Sequence, residues 1–550
     1  MNKLVLTSLL GLLLSLSPVA AETIRLENSD RSDTSQESLD SLIIRSIVVD
    51  NRNIYDTHEK PYDQFFYKVA NKLHYRTRKS VVERELLFRV GDRFSRDLMA
   101  ETARNLRSRL SIYDAWMEVS VGVDGVHITV VTVDQWSFAS GVNIRREGNE
   151  TSYRLSLDES NLLGNNQQLS ADYILGSDDG DYLTANFADS RILGRPYRFA
   201  WLYSGNDAGR VNQTVLGHPY YNLSQIYMFD VAVGFTSGRR DQYDDSLKIA
   251  ESHYDGEFVS TAFAFRMGSY RKKARIGTSY KYRFERISDR RLLPGRTDIT
   301  FPTDSVYHQF GLDLRGSTVN FIKLRRIDGF GYTEDFTLGT TASASVFRAF
   351  RPGLDSHLFD ILEVHFGHGL YAGESLVMLT GSNRHWFKSG RALRQLTSFT
   401  AQYYGRLFPF LTFALSGQYL SDWNRNGSER LVVGGSSGVR GVAKFYQTGN
   451  RRALLNIEGR FFPGINLLTA IVGAAAFTDI GRAWKAGERV DFDDPVISAG
   501  AGLRLYLQRF LKDKVLRFDF AYSERDRWEI SIGADQYFRV NTSSFRLTNL

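Results

Sequence analysis

The sequence predicts a mainly β protein: a transmembrane antiparallel β-barrel preceded by one small α+β domain. Three observations support this fold class. Aromatic residues make up 13% of the chain, with 28 Tyr and 37 Phe. From Trp136 onward, apolar and polar residues alternate, as they do in strands that have one face in lipid and one in a polar lumen. Beyond the N-terminal residues 4–16, no run of about 18 apolar residues occurs that would predict a transmembrane helix.

Residues 1–21 have the pattern of a secretory signal peptide. Lys3 supplies the positive charge, residues 4–16 the apolar run, and residues 19–21 a small-residue cleavage site. The alternative, a membrane-anchoring helix, is disfavoured because the run is short for a span. Residues 22–41 are polar and acidic, which predicts a flexible linker. The chain has no cysteine, and this excludes disulfides, a lipidated cysteine and thiol chemistry.

The net charge is +7, from 69 Lys and Arg against 62 Asp and Glu. A basic balance can indicate nucleic-acid binding, but here the basic residues are dispersed along a chain with an export signal. We therefore expect no nucleic-acid partner. A polar lumen, solvated loops and contact with anionic lipids explain the charge better.

Residues 42–134 are expected to form the α+β domain, with the order strand, helix, helix, strand, strand. A long connection at 53–78 follows the first strand. The expected elements are a strand at 43–49, a helix opened by a capping box from Ser80 to Glu83, a helix capped by Ser95 with Leu98, Thr102, Leu106 and Leu110 every four residues, and strands at 116–121 and 127–133 around an Asp124-Gly125 turn.

Residues 135–538 are expected to form the barrel. Sixteen strands would use about 25 residues each for a strand and its connection, and the same arithmetic also allows fourteen or eighteen. The last strand is expected to run from Trp528 to Phe538, with Phe538 as its terminal aromatic residue. Residues 539–550 would then be a C-terminal tail that the barrel does not need for insertion.

Two similar segments occur early in the barrel region. Residues 157–164 read Leu-Asp-Glu-Ser-Asn-Leu-Leu-Gly, and residues 187–194 read Phe-Ala-Asp-Ser-Arg-Ile-Leu-Gly. Each segment would join one strand to the next through an acidic Leu-Gly turn. Two unrelated polar turns are the alternative, but two copies about thirty residues apart favour a repeated hairpin.

Several charged residues are expected to face the lumen. Phe477, Asp479 and Gly481 share one parity of a strand, and the residues between them are small or apolar. Asp479 should therefore point inward. Alternation also places four further charged side chains on the polar lumen wall: Glu458, Arg460, Arg504 and Asp519.

These motifs resemble those of the BamA/TamA superfamily of outer-membrane assembly and translocation barrels, of the surface-antigen type. Val439, Arg440 and Gly441 are similar to the family's Val-Arg-Gly-Tyr loop, with Val442 in place of the aromatic residue. Residues 477–481 fit its Phe-x-Asp-x-Gly strand motif. The resemblance implies that the loop folds back into the lumen and that its arginine pairs with the strand aspartate. An arginine in a mobile surface loop is the alternative.

Residues 87–95 are similar to the core of a POTRA domain, the periplasmic module of the same superfamily. The resemblance implies about sixteen strands in the outer membrane and a single POTRA domain in the periplasm. It also implies that the protein inserts or translocates protein clients, which the POTRA domain binds as an added strand. A POTRA domain that only supports the barrel is one alternative. A passive, porin-like channel is the other.

We expect no enzymatic activity, no cofactor and no metal. Residues 434–438 satisfy the Gly-x-Ser-x-Gly nucleophile pattern, but Val-Arg-Gly and a strand follow instead of the required helix. His365 and His368 are three residues apart on an expected strand and would face opposite sides.

Overall fold

The computed structural model describes residues 42–542 with short gaps. The expected signal peptide, the expected linker and residues 543–550 of the expected tail lie outside the described residues, as does Ser436 of the nucleophile pattern. The gaps are residues 148–149, 176–179, 207, 245–246, 293–302, 353–356, 425–430, 435–437, 443–445, 468, 492, 511–513, 525–526 and 534.

The N-terminal domain is a three-stranded sheet packed against helices. Its elements are β1 (Ile44–Arg52), α1 (Phe65–Leu73), α2 (Lys79–Glu83), α3 (Arg96–Arg107), β2 (Ile112–Gly122) and β3 (Gly125–Asp134). β3 is the central strand and pairs in parallel with β1 and antiparallel with β2. The predicted element order is confirmed, with α1 as an additional helix in the long connection after β1.

α3 packs its apolar face on the sheet of this domain. Met99, Ala103 and Leu106 belong to the buried core that includes Ile128 and Val130 of β3. The side chain of Ser95 accepts a hydrogen bond from the backbone N–H of Leu98 at 3.4 Å, so the predicted N-cap is confirmed. None of the described helices is long and apolar enough to cross a membrane.

Two details of the helix prediction are wrong. Ser80 does not cap α2, because the helix begins one residue earlier, after Arg78, and Ser80 is its second residue. Leu110 is not on the buried face of α3, because the helix ends before Ser108 and Leu110 is 43% exposed. The prediction relied on spacing alone and placed the end of the helix about one turn too late.

The rest of the described chain is a closed antiparallel barrel with a small two-stranded ribbon, β20 (Leu431–Val433) with β21 (Gln447–Gly449). Successive strands of the barrel pair with each other, and the last strand lies beside the first to close it. The barrel strands are β4 (Phe138–Glu147), β5 (Glu150–Glu159), β6 (Gln168–Leu175), β7 (Tyr182–Asp189), β8 (Arg198–Asn206), β9 (Gly209–His218), β10 (Tyr227–Asp244), β11 (Leu247–Gly268), β12 (Lys272–Leu292), β13 (Ser305–Thr318), β14 (Asn320–Leu324), β15 (Glu334–Phe350), β16 (His357–Ala372), β17 (Ser375–Lys388), β18 (Arg391–Phe408), β19 (Leu411–Trp423), β22 (Arg451–Leu467), β23 (Ala470–Trp484), β24 (Val496–Leu507), β25 (Val515–Ser523) and β26 (Arg527–Gly533).

The expected number of about sixteen strands is wrong for the part of the chain that the structure describes. The barrel contains twenty-one strand segments. β13 and β14 both pair with β15 and are interrupted only at Val319, so they act as one strand. The described barrel wall therefore consists of twenty strands. The resemblance, and not the arithmetic, favoured sixteen. Twenty strands fit in the same length because several connections are only two residues long, among them Gly373-Glu374 and Pro409-Phe410.

Alternation along the strands separates an inner and an outer face. On β25, Leu516, Phe518, Phe520 and Tyr522 are exposed on the outer face, whereas the residues between them point inward. On β23, Phe477, Asp479 and Gly481 are buried on the inner face, as their parity predicted. The outer face is therefore the apolar surface that a lipid-facing barrel wall requires.

The C-terminal segment differs from the prediction. The barrel begins at Phe138 and its last strand ends at Gly533, so Phe538 does not terminate β26. Residues 535–542 instead leave the sheet, and Phe538 is buried against residues of the inner face such as Tyr404. Trp528, Ile530 and Ile532 supply the exposed apolar face of the last strand. The prediction therefore continued the last strand five residues beyond its end at Gly533.

Candidate functional site

The loop between β20 and β21 carries the Val-Arg-Gly motif into the barrel. Val439 and Val442 are buried with Val433, Leu454 and Val496, and this apolar cluster anchors the loop to the inner wall. Gly438 and Gly441 have positive φ angles of 123° and 76°. A Cβ atom at Gly438 would lie 2.3 Å from a methyl carbon of Leu454, so both the backbone conformation and the close approach require glycine there.

Arg440 makes a two-pronged contact with Asp479. Its Nε donates to Asp479 Oδ2 at 2.7 Å, and its Nη2 donates to Oδ1 at 2.8 Å. The backbone N–H of Arg440 also donates to Asp479 Oδ2, at 3.1 Å. Arg440 is 2% exposed and Asp479 is fully buried. This geometry uses the planar guanidinium fork, which a lysine cannot reproduce.

The four other inward charges join this pair in one network. Glu458 accepts from Arg440 Nη1 at 2.8 Å through Oε1 and from Arg460 Nε at 3.0 Å through Oε2. Asp519 accepts from Arg440 Nη1 at 3.1 Å and from Arg504 Nη1 at 2.5 Å. Each of these side chains is at most 2% exposed. Burial of so many charges is tolerated because each carboxylate contacts at least one guanidinium.

A connection at the other end of the barrel also reaches this network. Residues 325–333 link β14 to β15, and Asp328 accepts from Arg460 Nη1 at 3.0 Å. Glu334 shapes the connection by accepting hydrogen bonds from the backbone N–H groups of Ile327, Asp328 and Gly329. Phe330 packs on Phe462 and Tyr506 of the barrel wall. The connection is therefore folded against the inner face.

The C-terminal segment completes the site. The ring of Tyr537 lies 3.9 Å from the guanidinium carbon of Arg440, and the ring of Phe477 lies 3.5 Å from the same atom. Gln536 accepts from Arg504 Nε at 3.2 Å and donates to the backbone oxygen of Asp328. Arg440 thus lies against two aromatic rings, one from β23 and one from the C-terminal segment.

The sequence did not indicate Asp328, Asn456, Gln536 or Tyr537 as site residues. Asn456 donates to Asp479 Oδ1 and to the backbone oxygen of Gly438, both at 2.8 Å. Its parity matches that of Glu458, so alternation alone would have placed it on the inner face. No comparable signal existed for Asp328 or Tyr537, which lie outside the strands.

The N-terminal domain is joined by buried ion pairs to the end of the barrel that carries residues 325–333. Glu85 contacts Arg191 of the β7–β8 turn at 2.7 Å and Arg109 at 2.8 Å. Burial raises the pKa of the Glu85 carboxyl, but these two guanidinium groups outweigh it and hold the pKa below its usual 4.5. Arg107 makes a two-pronged contact with Asp335, with distances of 2.7 and 2.6 Å.

The two similar segments have one conformation and one role. Leu163 and Leu193 have φ angles of 52° and 51°, and the glycines that follow both have φ 76°. The first turn accepts a hydrogen bond from Arg78 of the N-terminal domain through the carbonyl oxygen of Gly164, at 2.9 Å. In the second turn, Gly194 approaches the side chain of Arg84. The repeated turn therefore forms a docking surface for the domain.

Glu101 connects α3 to two further turns. Its Oε1 accepts from the backbone N–H of Leu223 at 2.7 Å, and its Oε2 accepts from the hydroxyl of Tyr270 at 2.6 Å. On the opposite side, Trp136 stacks on Phe510 with ring centroids 5.8 Å apart. The N-terminal domain thus contacts turns on several sides of one barrel mouth.

No family model and no curated protein matches the sequence. Among solved structures, CdiB from Escherichia coli is similar over 96% of this chain and 94% of its own, with 11% identity and a TM-score of 0.44. CdiB from Acinetobacter baumannii covers 89% of this chain and 73% of its own, with 11% identity and a TM-score of 0.42. BamA from Haemophilus ducreyi lacking POTRA domains 1–3 covers 90% and 83%, with 14% identity and a TM-score of 0.35. Similarities at this level assign neither a family nor a function.

Proposed function

We propose that the protein is an outer-membrane barrel of the BamA/TamA superfamily that inserts protein clients into the outer membrane or translocates them across it. The observation that carries this proposal is the seating of the Val-Arg-Gly loop in the lumen, with Arg440 and Asp479 in a two-pronged contact. A loop held this way connects the extracellular side of the barrel to its inner wall. The proposed activity uses no cofactor and no energy source of the protein's own.

The outer face supports the location. Exposed aromatic and aliphatic side chains cover the outside of β25 and β26, and Phe520 and Tyr522 pack on Trp528. Such a band suits contact with lipid. In this proposal the N-terminal domain is a single POTRA domain in the periplasm, and the barrel mouth that it contacts is the periplasmic one.

The client would bind the free edge of β2. The sheet order β1-β3-β2 leaves β2 at an edge in the described part of the chain. The second half of this strand, from Glu118 to Gly122, is largely exposed, whereas its first half lies near the barrel. An extended client segment can therefore add to this half through main-chain hydrogen bonds.

A passive channel is disfavoured by the contents of the lumen. The arginine loop, residues 325–333 and residues 535–542 all contact inward-facing side chains. A porin that conducts steadily requires an open, water-filled path. The proposal includes no enzymatic step.

The proposal is tested by reconstituting the protein in liposomes and adding an unfolded outer-membrane client. We expect the client to become protease-resistant in the membrane, and Arg440→Ala to reduce that yield severalfold. Arg394→Ala is the matched control, because Arg394 also makes a two-pronged contact, with Asp422, but lies outside the network. Steady ion conductance together with client insertion no faster than in empty liposomes would favour the porin instead.

The binding edge is tested separately by a photo-crosslinking residue at Ser120 of β2. Client crosslinks are expected there and not at Val48, an exposed residue on the other edge strand. Equal crosslinking at both positions would contradict strand addition at β2.

A further inference from the structure

Residues 538–541 are recognised inside the lumen through their main chain. The carbonyl oxygen of Phe538 accepts from Arg460 Nη2 at 2.5 Å, and that of Arg539 accepts from Gln402 Nε2 at 2.9 Å. The backbone N–H of Val540 donates to Asp328 Oδ2 at 2.8 Å, and that of Asn541 donates to Gln402 Oε1 at 2.7 Å. Four consecutive residues each offer one main-chain group to an inward-facing partner.

The partners of this segment are themselves buried. Arg460 is 1% exposed, Gln402 is 4% exposed and Asp328 is 6% exposed. If the segment left, the main-chain hydrogen bonds of all three would be lost inside the barrel, at a cost for each unsatisfied polar group. The site therefore favours a replacement that offers the same main-chain pattern, which any extended polypeptide does.

Two side chains of the segment fill an apolar cluster. Phe538 and Val540 have the same parity and are buried with Leu376, Met378 and Tyr404 of the barrel wall. The guanidinium carbon of Arg460 lies 4.8 Å from the ring of Phe538. The cluster thus selects an aromatic residue followed, two positions later, by a branched aliphatic residue.

The segment can leave without opening the barrel. β26 ends at Gly533, and residues 535–542 take part in none of the described strand pairs. Its contacts are with side chains and with residues 325–333, so their loss leaves the strand ladder intact.

We propose that Arg460, Gln402 and Asp328, with the apolar cluster around Tyr404, form a lumenal binding site for an extended polypeptide. The protein's own residues 535–542 fill this site, and a client segment of the same pattern displaces them. This inference rests on the proposed function for the identity of the client. The binding site itself is defined by the contacts of the segment.

The test uses channel conductance and a synthetic peptide of residues 535–542. Full-length protein with Phe538→Ala and Val540→Ala should release the segment and conduct severalfold more than the wild type in planar bilayers. The peptide should reduce this conductance toward the wild-type level. The control peptide carries N-methyl groups on its Val and Asn amides, which removes the N–H groups that Asp328 and Gln402 recognise, and it should have no effect.

A tethered variant provides a second measurement, which tests whether departure of the segment causes the higher conductance. The side chains of Asn541 and Thr380 are in contact at 3.2 Å, and the native chain has no cysteine. When Asn541→Cys and Thr380→Cys are added to the Phe538→Ala, Val540→Ala protein, a short thiol cross-linker between the two cysteines should return its conductance toward the wild-type level. The same released protein with Asn541→Cys alone, treated identically, should keep its high conductance.

Either of two outcomes would overturn the proposal. One is equal block of the released variant by the native and N-methylated peptides, and the other is an unchanged conductance when the segment is released. Client insertion is not measured here, so a failed insertion assay would leave this result standing. Conversely, a peptide that does not bind would leave the proposed function standing without its lumenal site.

Discussion

The ring of Tyr537 lies over the guanidinium of Arg440, with its centroid 3.9 Å from the central carbon. This contact joins the C-terminal segment to the arginine loop, two parts of the chain that the sequence separates by almost a hundred residues. The loop and the segment therefore form one packed unit, and disturbing either one is expected to loosen the other.

Arg440→Ala is expected to release the loop and to cost more than Asp479→Ala. Removing the arginine leaves Asp479, Glu458 and Asp519 short of positive charge, whereas removing the aspartate leaves Arg440 with two carboxylates. Loss of one partner from a buried pair costs about 3–5 kcal/mol, which sets the upper end for Arg440→Ala. Protease access to residues 430–450 from outside the cell measures the release.

The control for that prediction is Arg394→Ala. Its side chain contacts Asp422 at 2.6 Å and is 35% exposed, and neither residue contacts Arg440 or Asp479. The change therefore removes an arginine–carboxylate pair without touching the loop. Equal protection of the loop in Arg440→Ala and in the control would show that the network does not hold the loop.

Docking of the N-terminal domain is expected to weaken in acid. The pKa of Glu85 is lower in the folded protein than its usual 4.5, so its contribution to stability is fully present above 4.5 and is lost as the pH falls through the folded value. Hydrogen exchange of the 190–194 turn should therefore increase below pH 4.5. Glu85→Gln should remove this step, and Glu83→Gln, at an exposed position of α2, should keep it.

Gly164→Ala is expected to disturb docking more than Gly194→Ala. Both positions have φ 76°, which costs alanine roughly 1–2 kcal/mol. A Cβ atom at Gly164 would also lie 2.6 Å from the backbone oxygen of Arg76, whereas at Gly194 it would meet the movable side chain of Arg84. Limited proteolysis of the junction at 134–138 reports the effect.

Gly373→Ala distinguishes the effect of backbone strain from the effect of losing the close approach of Gly164 to the N-terminal domain. Gly373 also has a positive φ, 52°, and nothing lies within 4 Å of a Cβ atom there. If this variant exposed the junction as much as Gly164→Ala does, backbone strain rather than the lost approach would be responsible.

Phe538→Ala is expected to leave membrane insertion intact, because Phe538 lies inside the lumen rather than at the end of a lipid-facing strand. Ile530→Asp is the contrasting change, since Ile530 is 73% exposed on the outer face and a charge there opposes insertion. The heat-dependent gel mobility of the folded barrel measures both. If Phe538→Ala lost the folded band and Ile530→Asp kept it, Phe538 would be the terminal residue of the last strand, as the sequence predicted.

Alternation in the sequence was sufficient to find the inward charges but not their connections. Parity places Glu458 and Asp519 on the inner face, since a strand has only two faces. Which guanidinium each contacts depends on the register between β22, β23, β24 and β25 and on where the loop descends, and neither follows from spacing. The branching of Glu458 between Arg440 and Arg460 is therefore visible only in the structure.

The ends of elements were the weakest part of the prediction. Trp528 to Phe538 continues an alternating pattern beyond Gly533, and nothing local marks the point where the chain turns inward. The strand number was taken from the resemblance because the sequence does not mark every turn. A two-residue turn such as Gly373-Glu374 interrupts the strand pattern only briefly.

The width of a barrel grows roughly in proportion to its strand number. Because area grows with the square of the width, twenty strands rather than sixteen enlarge the cross-sectional area of the interior by about half. That space holds three separate pieces of chain side by side, namely the arginine loop, residues 325–333 and residues 535–542. A barrel of this width without such contents would enclose a broad aqueous pore. Under the proposed function, passage through the protein is therefore limited by what fills the barrel and not by its diameter.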